Sequence, residues 1–350
     1  MRRWILASCL VLISALAVLV PAGAQASTVA VSKLVSGKPV KATISAPGRQ
    51  VKFTFAAKAN TNVTFNVTHF SFHDSQGAVQ VTLYFYEPGS SSAYTQCTFI
   101  GNGYCNFTAP ESGTWSIALV PYSSTVGSLS LTFANDVPAV ALTSGHPVTT
   151  TLKFEGQEAG YTFAAKANKN VTFNVTHFNF HDSQGAVQVT LYFFEPGSNS
   201  AYTQCTFIGN SYCNFTAPES GTWSIALVPY SATVGSLALT FANDVPTVAL
   251  VPSKSVATTL KFEGQQAGYT FAAKANKNFT FDVTRFNFTD SQGAVQVTLY
   301  FFEPGSSSAY TQCTFISNGT CTVKTPTGGT WSMALVPYSA TVGSLSIKLT

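Results

Sequence analysis

The sequence consists mainly of three near-copies of one segment of 108 residues. The decapeptide TWSIALVPYS begins at Thr114 and again at Thr222, and TWSMALVPYS begins at Thr330. A period this long is the size of a whole domain, whereas the coils of a solenoid repeat every 20 to 50 residues or so. The repetition predicts three tandem domains, at residues 27–136, 137–244 and 245–350.

The first 26 residues have the pattern of a secretory signal peptide. Arg2 and Arg3 precede an apolar run at residues 4–20, and Ala24-Gln25-Ala26 fits a small-x-small cleavage site. After Ala26 no apolar run approaches the ~20 residues that a membrane-spanning helix needs. We therefore expect a secreted mature chain without a membrane span.

Charged residues are scarce. They make up 9% of the chain, and the formal net charge is +4, whereas globular proteins average about 25% charged residues. Binding to nucleic acid requires clustered Lys and Arg. The composition therefore argues against a nucleic-acid partner.

The cysteines predict one disulfide in each repeat. Cys9 lies in the signal peptide, and the other six form three Cys-x7-Cys pairs: Cys97/Cys105, Cys205/Cys213 and Cys313/Cys321. An even number of cysteines in local pairs is typical of disulfides in a secreted chain. No histidine accompanies these pairs in all three copies, which disfavours a metal site.

Alternation of apolar and polar residues predicts the fold class. It is strong at residues 62–70 and 79–86, and turns rich in Gly and Pro separate such segments. About eight short strands in roughly 100 residues are typical of an antiparallel β-sandwich. We predict an all-β chain of three jelly-roll-like sandwiches. No Gly/Ser-rich linker separates them, so we expect short, stiff joints.

Several stretches resemble the bacterial pre-peptidase C-terminal domain, a secreted jelly-roll-like β-sandwich. They are Gly37-Lys38-Pro39, Phe53-Thr54-Phe55, and residues 81–89, 113–117 and 127–131. The resemblance covers nearly all of each repeat and rests on structural consensus positions. It implies a module that accompanies extracellular enzymes or forms arrays on secreted and surface proteins.

The histidines and acidic residues do not form a recognisable catalytic motif. His69 and His177 correspond to Arg285 in the third repeat, so a metal or catalytic role would be lost in one copy. We expect both histidines to be partly buried strand residues. Loop residues Asp74, Asp182 and Asp290 leave calcium as an alternative, but no Asp-x-Asp-x-Asp spacing supports it. We predict no cofactor and no enzymatic activity.

Tyrosines out of phase with the apolar strand positions suggest a carbohydrate-binding surface. The candidates for stacking against sugar rings are Tyr84, Tyr86, Tyr192 and Tyr300. The alternative is that these rings cover the outer sheet or pack between domains. Asn-x-Thr triplets are also frequent, and we attribute them to outward strand faces rich in Asn and Thr.

The sequence thus favours a secreted, non-enzymatic structural or adhesive protein that acts as an extracellular spacer or surface-attachment module. One alternative is a carbohydrate-binding protein that gains avidity from three copies. Another is an accessory array of an extracellular hydrolase. The expected partners are a cell-surface or environmental polysaccharide, or another extracellular protein.

Overall fold

A computed structural model describes residues 31–350 except 76, 78, 183, 184, 186, 292 and 294. The predicted signal peptide lies outside these residues. The described part is all-β, with nine strands in each repeat. Within it, no helix is long and apolar enough to cross a membrane.

The strands of the three repeats follow one scheme. In the first repeat they are β1 (Val31–Lys33), β2 (Pro39–Ile44), β3 (Val51–Ala57), β4 (Thr61–His73), β5 (Val81–Tyr86), β6 (Ala93–Phe99), β7 (Gly103–Ala109), β8 (Gly113–Pro121) and β9 (Val126–Asn135). In the second they are β10 (Val137–Ala141), β11 (Pro147–Leu152), β12 (Ala159–Ala165), β13 (Lys169–His181), β14 (Val189–Phe194), β15 (Ala201–Phe207), β16 (Ser211–Ala217), β17 (Gly221–Pro229) and β18 (Val234–Asn243). In the third they are β19 (Val245–Ala249), β20 (Ser255–Leu260), β21 (Ala267–Ala273), β22 (Lys277–Asp290), β23 (Val297–Phe302), β24 (Ala309–Phe315), β25 (Gly319–Thr325), β26 (Gly329–Pro337) and β27 (Thr341–Leu349).

Each repeat folds into two sheets. In the first repeat these are a five-stranded sheet in the order β1-β3-β8-β5-β6 and a four-stranded sheet in the order β2-β9-β4-β7. Neighbouring strands are antiparallel except β1, which pairs in parallel with β3. The predicted β-sandwich is confirmed. The parallel edge strand adds a ninth strand to the eight that alternation indicated, because three residues are too few to show a period of two.

The core of each repeat is rich in aromatic side chains. In the first repeat the Phe55 ring lies 5.0 Å from both Phe65 and Phe133, measured between ring centroids. Trp115 is fully buried, and its indole N–H donates to the Glu111 carbonyl at 3.3 Å. Burying one such side chain contributes about 1.5–3 kcal/mol. The buried core of each repeat consists of that repeat's own residues.

The three predicted disulfides are present, one in each repeat: Cys97–Cys105, Cys205–Cys213 and Cys313–Cys321. In the first repeat the bridge joins β6 to β7, which are consecutive in the chain. These strands form the edges of different sheets. The disulfide therefore fastens the two sheets together along one open side of the sandwich.

The expectation that His69 and His177 are partly buried is wrong, because both are exposed. The pairing of β4 with β9 shifts register between Thr68 and Ser71, and His69 adopts φ 51°. This bulge turns the histidine outward and lets Phe70 pack against Phe72, with ring centroids 5.1 Å apart.

Reduction of the three disulfides should lower the melting temperature by several degrees without unfolding the repeats at 25 °C. A ring this small is worth about 2.5 kcal/mol, less than the stability of a typical domain. Circular dichroism with and without reductant measures the effect. Loss of the β-sheet signal on reduction at 25 °C would show that the bridges are essential for folding.

Candidate functional site

One residue connects each repeat to the next. Strand β9 ends at Asn135 and β10 begins at Val137, so Asp136 alone lies between them. Asp244 has the same position between β18 and β19. A connection this short leaves the neighbouring sandwiches little freedom to reorient.

The turn between β11 and β12, residues 153–158, lies against the first repeat. We call it the docking turn of the second repeat. It contacts outward side chains of β4 and β7 that we call the docking face of the first repeat. The docking face consists of Asn62, Thr64, Asn66, Tyr104 and Asn106.

Side chains of the docking face bind main-chain atoms of the docking turn. The Thr64 hydroxyl donates to the Glu155 carbonyl at 2.7 Å. The Asn66 amide donates to the same carbonyl at 3.1 Å and accepts from the Glu155 N–H at 3.1 Å. The Gly156 carbonyl accepts from Asn62 at 3.2 Å and from Asn106 at 3.1 Å. Asn62, Thr64 and Asn66 are buried, so their bonds are shielded from water, whereas Asn106 lies at the exposed rim of the contact.

Gly156 lets the main chain of the docking turn approach the docking face closely. Its φ is +75°, and a Cβ atom there would lie 2.6 Å from the Tyr104 ring. Only glycine adopts this conformation without strain and leaves room for the ring. The Phe154 ring lies beside Gly37 of the first repeat, 3.6 Å from where a Cβ atom there would stand.

The Gln157 side chain bonds main-chain atoms both within the docking turn and at the end of β9. Its side-chain oxygen accepts from the Lys153 N–H at 2.8 Å, and its side-chain nitrogen donates to the Asn135 carbonyl at 2.8 Å. The amide thus ties the docking turn to the last residue of β9. It is buried, as expected for a polar group with both functions satisfied.

The second junction repeats the first. The docking turn at residues 261–266 lies on Asn170, Thr172, Asn174, Tyr212 and Asn214. The Thr172 hydroxyl donates to the Glu263 carbonyl at 2.8 Å. The Gln265 side chain donates to the Asn243 carbonyl at 2.8 Å. Both pairs of adjacent repeats therefore use one mode of attachment.

The two outer repeats each lack one half of this arrangement. The first repeat has Ala46-Pro47-Gly48-Arg49 where the others have Phe-Glu-Gly-Gln. Among the described residues, and apart from Gly48 itself and its two chain neighbours, no heavy atom lies within 4 Å of where a Cβ atom on Gly48 would stand. In the third repeat the residues that match the docking face are exposed or half-buried: Asn278, Thr280, Asp282, Thr320 and Thr322.

The docking residues were missed by the sequence interpretation, although two signals for them are present. Two of the Asn-x-Thr triplets start at Asn62 and Asn66, and the pattern by itself indicates only an outward strand face. That face is outward, but Asn62, Thr64 and Asn66 on it are buried where the next repeat docks. The second signal is the Phe-Glu-Gly-Gln sequence, which is confined to the second and third repeats.

The first junction holds a pair of carboxyl groups. The Glu158 N–H donates to the Asp136 carboxylate at 3.0 Å, and Asn62 donates to the same oxygen at 2.9 Å. Burial raises the pKa of Asp136 to about 7. Burial and the nearby Asp136 charge raise the pKa of Glu158 to about 8. At the second junction Gln266 replaces the glutamate, and burial raises the pKa of Asp244.

The tyrosines proposed for glycan stacking lie on the outer face of the five-stranded sheets. Tyr84 stands between Gln96 on β6 and Ala118 on β8. It is half-buried, as are Tyr86, Tyr192 and Tyr300. The residue that matches Tyr86 in the second repeat is Phe194, which is buried. The stacking role of these tyrosines stays a prediction.

The loop aspartates bind hydroxyl groups. The Asp74 carboxylate accepts from Ser124 and Thr125, each at 3.0 Å. Asp182 and Asp290 accept from the matching threonines at 2.9 and 2.8 Å. Across residues 31–350, outside the seven undescribed positions, no three His, Cys, Asp or Glu side chains are grouped as a metal site requires.

The chain matches no protein-family model and no curated protein sequence. Among solved structures it is similar to the periplasmic g-type lysozyme inhibitor PliG of Aeromonas hydrophila, at 18% identity over 30% of this chain and 97% of that chain, with a TM-score of 0.23. It is also similar to the CUB1-EGF-CUB2 domains of human MASP-1/3, at 10% identity over 58% and 99%, with a TM-score of 0.19. At these TM-scores the similarities assign neither a family nor a function.

Gly156→Ala should lower the melting temperature more than Gly48→Ala does, because it weakens the first junction. Both glycines have φ near +75°, so both substitutions incur about 1 kcal/mol of backbone strain. Only at Gly156 does the methyl group overlap a neighbouring ring, which adds roughly 1–3 kcal/mol. Differential scanning calorimetry of the two variants tests this. Equal decreases in melting temperature would contradict the described contact between repeats.

Glu158→Gln should stabilise the first junction above pH 7. In the folded chain Asp136 and Glu158 keep their protons up to about pH 7 and 8, whereas in the unfolded chain they release them near pH 4. The stabilisation that results from these raised pKa values is therefore fully present below about pH 4 and is lost as pH rises through 7 to 8. Melting temperatures from pH 5 to 9 should therefore fall less steeply for the variant than for the wild type. The reciprocal control, Gln266→Glu, should steepen the pH dependence. Parallel curves for all three proteins would refute the carboxyl pair.

Proposed function

We propose that this protein is a secreted, non-enzymatic array that holds three β-sandwich modules in fixed order and orientation, as an extracellular spacer or surface-attachment protein. The observation that carries the proposal is the pair of matching junctions, each with a one-residue connection and a buried docking turn. In this proposal each repeat is a module of the pre-peptidase C-terminal type that serves as an element of the array.

The disulfides support an extracytoplasmic location. Each repeat contains one, and disulfides persist in the oxidising environments of the periplasm and the extracellular space. Secretion beyond these compartments follows in the proposal from the predicted signal peptide. A disulfide between the two sheets of each repeat also suits a protein that must remain folded outside the cell.

The polar chemistry that recurs in the repeats serves attachment rather than catalysis in this proposal. Thr64 and Thr172, at matching positions, both donate their hydroxyl groups to a carbonyl of the following repeat. Gln157 and Gln265 likewise bind main-chain atoms at the end of the preceding repeat. The polar residues shared by both junctions thus hold neighbouring modules in place.

Small-angle X-ray scattering tests whether the array is rigid. The wild-type profile should fit one conformation. Asn62→Ala/Thr64→Ala should broaden the distribution of interatomic distances, because it removes bonds to the docking turn that are worth about 1 kcal/mol each. The Glu155 and Gly156 carbonyls then keep one donor each from the docking face, Asn66 and Asn106. The same preparations should show no turnover of glycan, peptide or ester substrates.

The matched control is Asn278→Ala/Thr280→Ala. These residues occupy the same strand positions in the third repeat but are exposed and half-buried, so their loss should leave the scattering profile unchanged. A wild-type profile that requires many conformations would overturn the spacer proposal. Turnover above background would overturn its non-enzymatic part.

A further inference from the structure

The outward face of the four-stranded sheet in the third repeat carries a group of cations that the other repeats lack. Arg285, Lys324 and Lys348 replace histidine or threonine: His69 and His177, Thr108 and Thr216, and Thr132 and Thr240 at the matching positions. We call this surface the basic face. Since the matching surface of the other two repeats is a docking face, the third repeat has changed the chemistry of a surface that binds a partner in both other copies.

The strand register places Lys348 in a row of polar side chains. Lys348 on β27 lies between Ser255 on β20 and Asp282 on β22. Thr320 on β25 stands on the other side of Asp282. One row across the sheet therefore presents, in order, a hydroxyl, an ammonium, a carboxylate and a second hydroxyl. Lys324 faces Asn278 two rows further along the same face, beyond the row of Thr280 and Thr322.

The basic face is concave and open. It contains a groove of about 780 Å³ whose lining includes Ser255, Asp282, Arg285, Asn318, Thr320 and Lys348. At the matching positions in the first two repeats, Thr132 and Thr240 are buried, whereas Lys348 is half-exposed. Lys348 is thus accessible at a position that is covered in the other two repeats.

The basic face is not suited to a docking turn of a second copy of this chain. Asn174 both donates to and accepts from Glu263, whereas its counterpart Asp282 when ionised only accepts. Thr320 and Thr322 replace the tyrosine and asparagine that cover the turn glycine in the second repeat. The face has therefore lost the partners of a docking turn and gained positive charge.

We propose that the basic face binds an acidic polysaccharide, one with carboxylate or sulfate groups on its sugars. Arg285 and Lys348 at the groove would pair with the acidic groups, since guanidinium and ammonium donors form short charge-assisted bonds to such anions. Ser255, Thr320 and Asp282 match the hydroxyl groups of a sugar as donors and acceptors. This inference rests on the proposed attachment function and names its ligand class.

Binding of the full chain to polygalacturonate, with dextran as the neutral reference, tests the inference by affinity electrophoresis. The test variant is Arg285→His/Lys324→Thr/Lys348→Thr, which installs residues that occupy these positions in the other repeats and so preserves the fold. We expect the wild type to be retarded by polygalacturonate but not by dextran. The variant should lose at least tenfold in affinity, and 0.5 M salt should abolish binding by the wild type.

The matched control is Lys33→Thr/Lys38→Thr/Lys41→Thr, which removes three exposed lysines from the first repeat. It should bind polygalacturonate like the wild type. An equal loss of affinity in this control would overturn the inference, because net charge alone would then account for the effect. Absence of retardation by polygalacturonate would overturn the inference, as would equal binding to duplex DNA or to phosphatidylglycerol vesicles. The scattering experiment is independent of this ligand, so the spacer proposal stands or falls separately.

Discussion

The architecture depends on hydrogen bonds from side chains on one sheet to the main chain of a turn in the next repeat. A turn at a domain surface normally satisfies its carbonyls with water. Here the carbonyls of Glu155 and Gly156 are satisfied by Thr64, Asn62, Asn66 and Asn106. Because buried carbonyls without partners are unfavourable, the two repeats are held in the one position that pairs them. The one-residue connection at Asp136 strengthens this constraint, since it brings both surfaces close before they dock.

The two junctions differ in one half-buried carboxyl group, and this difference makes the first junction more sensitive to pH. Both contain a half-buried aspartate, Asp136 or Asp244, that accepts from an asparagine and from a main-chain N–H. Only the first adds a glutamate, Glu158, whose ionisation is opposed by burial and by its neighbour. The glutamine at position 266 retains the main-chain bond without the charge. The second junction therefore combines the same geometry with weaker pH dependence.

Much of the fold could be predicted from sequence, because each relevant signal is local or repeated. Alternation predicted the strands, the 108-residue period predicted the repeats, and the Cys-x7-Cys spacing predicted the disulfides. The exposure of His69 could not be predicted, since a bulge reverses the alternation without leaving a mark in composition. The docking face was equally hidden: Asn62 and Thr64 look like any solvent-facing strand residues until a turn about 90 residues later in the chain covers them. Contacts at that separation leave no periodic pattern.

The middle repeat has both a docking turn and a docking face, whereas the first repeat has only the face and the third only the turn. This asymmetry determines which repeat can be duplicated when such an array changes length. A duplicated middle repeat would find a compatible neighbour on either side, so one recombination event could lengthen the array without any new interface. Duplication of the first or the third repeat would instead create a junction lacking one partner. The length of the array can therefore change by whole repeats, while the undocked turn of the first repeat and the undocked face of the third repeat change independently of that length.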